Sequence, residues 1–229
     1  MKGFFITATD TNAGKTFVTE GLLQVLSRLG YKTLGFKPVA SGCVITEQGL
    51  RNEDALRLIN AANTALAYQL INPYAFEPAI APHIAAQQSG VTIELDVIAA
   101  AIHQCPDDVD YVFIEGVGGW LVPLNAQQSV ADLAELLAFP VILVVNMRLG
   151  CINQALLTAL AIEQKGLTII GWIANQVPQN NTADELMDCL QENIESLQSR
   201  LSAPLLGIIP NNAQQKNFSQ LIDVQKYIV

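Results

Sequence analysis

The sequence predicts an α/β fold: a three-layer arrangement with a parallel sheet flanked by helices, of the P-loop NTPase kind. Three observations carry this. Strand-sized apolar runs such as "PVILVVN" (140–146) lack the alternation of a half-exposed sheet, so both their faces are buried. Amphipathic helical stretches separate these runs, as the crossovers of a parallel sheet require. Gly14-Lys15-Thr16 follows the first strand and opens the first helix, the context that a phosphate-binding loop needs.

The elements follow in order. "GFFIT" (3–7) reads as a short buried strand. From Thr16 a helix carries Val18, Leu22, Val25, Leu26 and Leu29 on one face and stops at Gly30. "KTLGFKPVA" is a second strand, closed by Pro38, and a polar loop leads to the helix "NEDALRLINAAN". "INPYAFEPAIAPH" (71–83), with three prolines, reads as an ordered loop, too irregular for a helix or strand, that covers something. "ELDVIAAAIHQC" is helical, "DYVFIEG" a strand ending in Glu115, "SVADLAELLA" a helix and "PVILVVN" the most apolar strand. "INQALLTALAIEQKG" is a helix ending at Gly166, and "LTIIGWIANQ" a strand. "TADELMDCLQENIESLQSRL" (182–201) is a long helix and "PLLGIIP" the last strand. No repeat or linker divides the chain, so residues 1–229 are expected to form one domain.

Composition narrows the functions. Apolar residues make up 51%, which excludes a disordered chain. The net charge of −9, with no basic block, argues against nucleic acid, whose binding needs concentrated positive charge. The apolar runs are too short for a membrane span, and the run near Met1 is too short for a signal-peptide core, so a cytoplasmic protein is expected. Cys43, Cys105, Cys151 and Cys189 form no C-x-x-C pair, and His83 and His103 lie too far apart for a helical metal pair. A Cys/His metal site is therefore not expected.

In open parallel sheets ligands sit at the carboxyl ends of the strands. Those ends carry Thr9–Thr16, Lys37–Ser41, Glu115–Gly119, Asn146–Asn153, Asn175 and Pro210–Asn212. Backbone N–H groups at the first helix start attract phosphate, Lys15 adds a charge, and the Thr16 hydroxyl suits Mg²⁺. Where the common loop pattern has its first glycine, however, this chain has Thr9. Glu115, before Gly116-Val117-Gly118-Gly119, can hold Mg²⁺ or be an ordinary strand terminus. Its place at a strand end puts it outside the core. Lys37 reads as a second phosphate clamp. Asp54 reads equally as a helix-start residue facing solvent.

"TDTNAGKT", "GFKPVASG", "LRNEDAL", "NPYAF" with "APHIAA", "EGVGGWLVPL", "RLGCINQALLT", "GWIANQ" and "PLLGIIP" occur in order over nearly the whole chain. Together they resemble the dethiobiotin synthetase family. In that family the first loop glycine falls at the position of Ala8, so Ala8 is the departure. Asn12 is another, since the family often has Glu there. The resemblance implies an ATP-dependent reaction of diaminononanoate with CO₂ that forms a cyclic urea, with Mg²⁺. It implies catalytic or substrate roles for Lys37, Lys15, Thr11 and Ser41. It implies nucleotide contacts by Asn12, Ala13, Gly14, Lys15, Thr16, Phe17, Asp54, Glu115, Gly116, Val117, Gly118, Asn175, Gln176, Pro210, Asn211 and Asn212. Thr16, Asp54 and Glu115 would surround the metal. Gly150, Cys151, Ile152 and Asn153 would take the substrate carboxylate across a homodimer interface. His83 is as well explained by loop structure as by catalysis.

Three other readings compete. A regulatory ATPase switch of the partitioning or septum-site type would carry an extra loop lysine where this chain has Asp10, and often a basic membrane helix; "FSQLIDVQKYIV" holds one lysine. A weakened nucleotide-binding homologue would be damaged at Ala8 and Asn12. A third is an amide-forming ATP enzyme acting on another amine.

Overall fold

The computed structural model describes residues 1–177 and 189–229. The chain opens with β1 (Lys2–Ala8), α1 (Lys15–Arg28), β2 (Thr33–Phe36) and β3 (Val39–Ser41). A hairpin of β4 (Val44–Thr46) and β5 (Gly49–Arg51) leads to α2 (Glu53–Ala61), α3 (Tyr68–Ile71), β6 (Tyr74–Phe76), α4 (Pro82–Gln88) and α5 (Leu95–Ile102). Then come β7 (Tyr111–Glu115), α6 (Val130–Leu137), β8 (Val141–Asn146), α7 (Cys151–Gln164) and β9 (Ile169–Asn175). The chain closes with α8 (Leu190–Gln198), β10 (Leu205–Ile209), α9 (Phe218–Leu221) and α10 (Val224–Tyr227). Of the long helix expected at 182–201, residues 182–188 lie outside the described residues; α8 is the described portion.

Six strands form one parallel sheet in the order β10-β9-β8-β1-β7-β2. Every residue of β7 and β8 is buried, as their unbroken apolar sequences require of strands covered on both faces. Consecutive strands leave β1 in opposite directions: β2 and β7 lie on one side, and β8, β9 and β10 on the other. The loop after β1 therefore sits at the crevice where the strand order reverses, the place where open α/β sheets bind ligands.

Two expectations are corrected. Residues 71–83 hold regular structure: β6 pairs in parallel with β3, and Pro82 begins α4. The prolines permit this because they flank the strand or occupy the first helical position, where no N–H is needed. "KTLGFKPVA" is two strands: β2 joins the main sheet and β3 a separate one, with Pro38 between them. The polar loop after Ser41 also contains the antiparallel β4–β5 hairpin.

The C-terminal segment is two short helices whose Phe218, Ile222, Val224 and Ile228 are buried in the core around α1. Gly21 of α1 admits the Phe218 ring, which would meet a Cβ there at 2.3 Å. Among the described residues no helix is long and apolar enough to cross a membrane.

Candidate active site

The phosphate loop begins where β1 ends. Two of its residues have left-handed backbone, Asn12 at φ 58 and Gly14 at φ 89. Asn is among the few side chains that tolerate this region. Gly14 has a further constraint, since a Cβ there would lie 2.0 Å from Asn175 Nδ2. Ala8 keeps a negative φ and is fully buried in the same core cluster as Ala13, so its backbone does not call for glycine. No side chain caps α1, which leaves its first N–H groups to an anion.

The charged groups converge from four elements. Lys15 Nζ donates to the Gly118 carbonyl at 2.5 Å. Thr16 Oγ1 donates to Glu115 Oε1 at 2.8 Å, and Lys37 Nζ donates to that same oxygen at 2.5 Å. Lys37 Nζ also lies 3.3 Å from Asp54 Oδ2 and 3.4 Å from the Gly116 carbonyl. Asp54 reaches this point because Asn52 caps α2: its side chain accepts from Ala55 N–H at 3.1 Å and sets the first helical turn. Asp54, its side chain 39% exposed, thus faces Lys37 and the cavity from the first turn of α2.

Burial corrects the expectation for Glu115. It is 1% exposed and belongs to the core, with Lys37 as its buried counter-ion. Burial, together with the Lys37 charge, lowers the Lys15 pKa from 10.5 to about 8, against the pull of Glu115, Asp54 and Asp10. Burial works against the Lys37 charge too, but Glu115 and Asp54 outweigh it and hold its pKa above the ordinary value. For Asp54, burial favours the neutral form, but Lys37 and the hydrogen bonds of Thr16 and Lys37 leave the carboxyl below its usual range.

A cavity of about 770 Å³ opens over these groups. Of the expected residues, Thr11, Asn12, Gly14, Lys15, Thr16, Phe17, Lys37, Ser41, Asp54, Glu115, Val117 and Gly118 line it. The buried Ser41 hydroxyl has no hydrogen-bond partner and neither does Glu115 Oε2. Two carboxylates, one of them with an unpartnered buried oxygen, and one hydroxyl suit Mg²⁺, a hard ion that takes few protein oxygens and completes its shell with phosphates and water. No group of three His, Cys, Asp or Glu residues able to hold a metal occurs among the described residues.

The other expected residues are not among those lining the cavity. Asn175, at the end of β9, donates from Nδ2 to the Ala13 carbonyl at 2.7 Å. Gln176 N–H donates to the Ile209 carbonyl, which places it against Pro210, Asn211 and Asn212 after β10. Gly150–Asn153 start α7 on the opposite flank of the loop. His83 sits in the first turn of α4, outside the cavity, its Nδ1 buried without a partner.

Sequence reasoning missed several contributors. Arg148 Nη2 donates to Asp10 Oδ2 at 2.6 Å and ties the phosphate loop to the turn before α7. Nothing local in the sequence pairs residues 138 positions apart. Ala79–Pro82 line the cavity wall; the proline-rich composition signalled a covering segment without saying what it covered.

A family profile described as an AAA domain matches residues 2–219. The chain is 51% identical over 209 residues to the ATP-dependent dethiobiotin synthetase of Cellvibrio japonicus, covering 91% of this chain and 89% of that protein. It is 49% identical over 218 residues to the enzyme of the same name from Pseudomonas paraeruginosa, covering 93% and 91%. Among solved structures it resembles a chain of the MinC:MinD cell division protein complex of Aquifex aeolicus (TM-score 0.57, 18% identity, 96% of this chain and 85% of that chain). It also resembles the Mg-ADP-bound septum site-determining MinD of Pyrococcus horikoshii (TM-score 0.54, 16% identity, 99% and 88%). The structural likenesses establish the fold alone. The regulatory-switch reading gains nothing from them, and Asp10 is engaged by Arg148 where that reading needs a lysine.

Proposed function

The chain belongs to the dethiobiotin synthetase family, and from that premise we propose how its residues divide the work. The reaction joins CO₂ to 7,8-diaminononanoate with consumption of ATP and yields dethiobiotin, ADP and phosphate. An amine lone pair attacks CO₂ and the nitrogen loses a proton, which leaves a carbamate. A carbamate oxygen attacks the γ-phosphorus and ADP departs, giving a carbamic-phosphoric anhydride. The second amine attacks the carbonyl carbon and loses its proton. Phosphate leaves with the electrons of the C–O bond, and the ring closes.

Such chemistry asks for positioning and for neutralised charge more than for covalent work by the protein. Lys15 and the free N–H groups of α1 take phosphate oxygens, Lys15 exchanging the Gly118 carbonyl for them. Lys37 serves both ends of the transferred group, phosphate and carbamate. Thr11 and the unpartnered Ser41 hydroxyl hydrogen-bond the reacting end of the amine. Thr16, Asp54 and Glu115 would hold Mg²⁺, which when bound would neutralise and orient phosphoryl oxygens. Asn175, Gln176 and Pro210–Asn212 form the adenine pocket.

Gly150–Asn153 receive the substrate carboxylate at the α7 N-terminus, across the interface of a symmetric dimer. Exposed apolar side chains next to that turn support the dimer: Leu149 is 92% exposed and Leu157 and Leu160 more than half.

The observation that carries this reading is Lys37, buried between Glu115 and Asp54 at the seam between phosphate loop and Ser41. The test is ATP turnover with and without diaminononanoate and bicarbonate, with the cyclic product identified by mass. Turnover requiring both additions supports the reading; hydrolysis indifferent to them overturns it.

A further inference from the structure

Behind Lys37 and Asp54 runs a partly buried hydrogen-bond chain that the reaction itself does not use. Its centre is Tyr68, the first residue of α3. The Tyr68 hydroxyl donates to Asn72 Oδ1 at 2.9 Å and accepts from the Asn52 N–H at 2.8 Å. Asn72 in turn donates from Nδ2 to the Lys37 carbonyl at 2.6 Å, and the Lys37 N–H donates to the Ile71 carbonyl at 3.0 Å. Asn52 is the residue whose side chain caps α2, the helix that carries Asp54 in its first turn. The Arg51 guanidinium covers the Tyr68 ring at 4.1 Å from its centroid.

One hydroxyl therefore joins two backbone segments distant in sequence. On one side it reaches the peptide of Lys37 through Asn72. On the other it grips the cap residue of the Asp54 helix. Asn52 and Asn72 are buried and Tyr68 is half-buried beneath Arg51, so the Asn72–Lys37 bond is shielded from water and the two bonds at the Tyr68 hydroxyl are partly so. The end of β7 fixes Glu115 independently. The separation of Asp54 from Glu115, and the seat of Lys37 between them, is set at the cavity end by this chain. Carboxylates meant for one small octahedral ion need such fixing, because Mg²⁺ tolerates little departure from its geometry.

We propose that Tyr68 is a positioning residue for the metal and phosphate site. Through Asn72 and Asn52 it holds Lys37 and Asp54 in the register that lets Asp54 and Glu115 share one Mg²⁺ ion. The proposal rests on the function proposed for this site, in which Asp54 serves the metal.

The test measures binding of the imido analogue of ATP by titration calorimetry, with and without Mg²⁺, alongside thermal unfolding of each protein. The quantity read is the factor by which Mg²⁺ tightens binding. Tyr68→Phe keeps the ring and loses only the hydroxyl. It is expected to hold metal-free affinity within about twofold and to lose at least about threefold of the tightening. Asp54→Asn is expected to lose the tightening as well, and the double variant to lose no more than Asp54→Asn alone, since Tyr68 affects the metal only through where Lys37 and the α2 cap place the Asp54 carboxylate. If Asp54→Asn abolishes the tightening while Tyr68→Phe retains it, or if the losses add, the proposal falls and the metal reading stands. If Asp54→Asn leaves the tightening intact, the metal reading falls and the proposal with it. Should Tyr68→Phe lose its cooperative unfolding transition, Asn72→Ser, which cuts the link to Lys37, decides between the same outcomes by the same ratio.

Discussion

Asn175 Nδ2 lies 2.7 Å from the carbonyl oxygen of Ala13 and donates to it. The residue proposed to read the base thus also braces the phosphate loop. Asn175→Ala is expected to do two things: raise the KM for ATP, and lower the preference for ATP over GTP by roughly tenfold, because an amide both donates and accepts at the adenine edge. Steady-state kinetics with both nucleotides check this. An unchanged ATP-to-GTP ratio with a raised KM for both would leave Asn175 as a brace only.

Lys15→Ala is expected to lower turnover by at least about a hundredfold, roughly 3 kcal/mol of transition-state stabilisation. The pKa of Lys15 adds a test by pH. In the ligand-free protein Lys15 is charged below about 8 and neutral above it. ATP affinity should therefore fall as pH rises through about 8. Stability moves the other way: between about 8 and the ordinary 10.5 the unfolded chain binds the proton that the folded chain has lost, so this group makes folding more favourable as pH rises. Calorimetric titration and thermal unfolding across that range, on wild type and Lys15→Met, separate the two. A pH step in affinity that persists in Lys15→Met would assign it to another group.

Glu115→Gln is expected to reduce stability as well as Mg²⁺ dependence. Removing one partner of a buried ion pair leaves the other charge uncompensated, and about 3 kcal/mol is the expected loss, the low end because Asp54 still faces Lys37. Denaturant unfolding without nucleotide measures the first effect and the Mg²⁺ concentration for half-maximal turnover the second. A variant as stable as wild type, with the same Mg²⁺ requirement, would remove both roles.

Ala8→Gly is expected to change the KM for ATP by less than about threefold, under 1 kcal/mol, because Ala8 lies in a strand with negative φ. A tenfold improvement would show that the loop is compromised by alanine. The sensitive position is Asn12, whose φ of 58 disfavours other side chains. Asn12→Ala should cost about 1 kcal/mol of stability and Asn12→Gly almost nothing. Paired denaturation curves decide this, and equal losses in both variants would refute the conformational account.

Leu157→Glu with Leu160→Glu is expected to weaken self-association and to raise the KM for diaminononanoate far more than that for ATP, since only the carboxylate site is proposed to cross the interface. Sedimentation equilibrium and substrate kinetics test this together. Monomers with an unaltered KM for diaminononanoate would return Gly150–Asn153 to a structural role.

How far the sequence could be read depended on the range of the interactions. The buried strands were legible because β7 and β8 carry no polar alternation, and the phosphate loop because its parts are contiguous. β6 and α3 were not, since elements of three and four residues are held by partners elsewhere: β3 for one, and Asn52 for the other. Asp54 was ambiguous because an acidic residue in the first turn suits any helix, and only the cap at Asn52 and the buried Lys37 show where it points. The core position of Glu115 was hidden because a charged residue at a strand end reads as exposed until its counter-ion is found.

Pro38 separates β2 from β3, so between Lys37 and Ser41 the chain leaves one sheet and enters another in only three residues. That stretch can span at most about 13 Å between the two Cα atoms. Under the proposed function it acts as a calliper: one jaw, Lys37, follows the main sheet and would be set on the nucleotide, the other, Ser41, lies in the β3–β6 pair and would be set on the amine, and proline stiffens the joint. Because side chains alternate along an extended strand, adding or deleting a single residue here would turn Ser41 to the opposite face as well as alter the gap. Lengthening the walls at Ala79–Pro82 would leave the gauge untouched. On that proposal, changes in the size of the accepted amine are open to the walls, while the reach from phosphorus to nitrogen would be dictated by how many peptide units lie between Lys37 and Ser41.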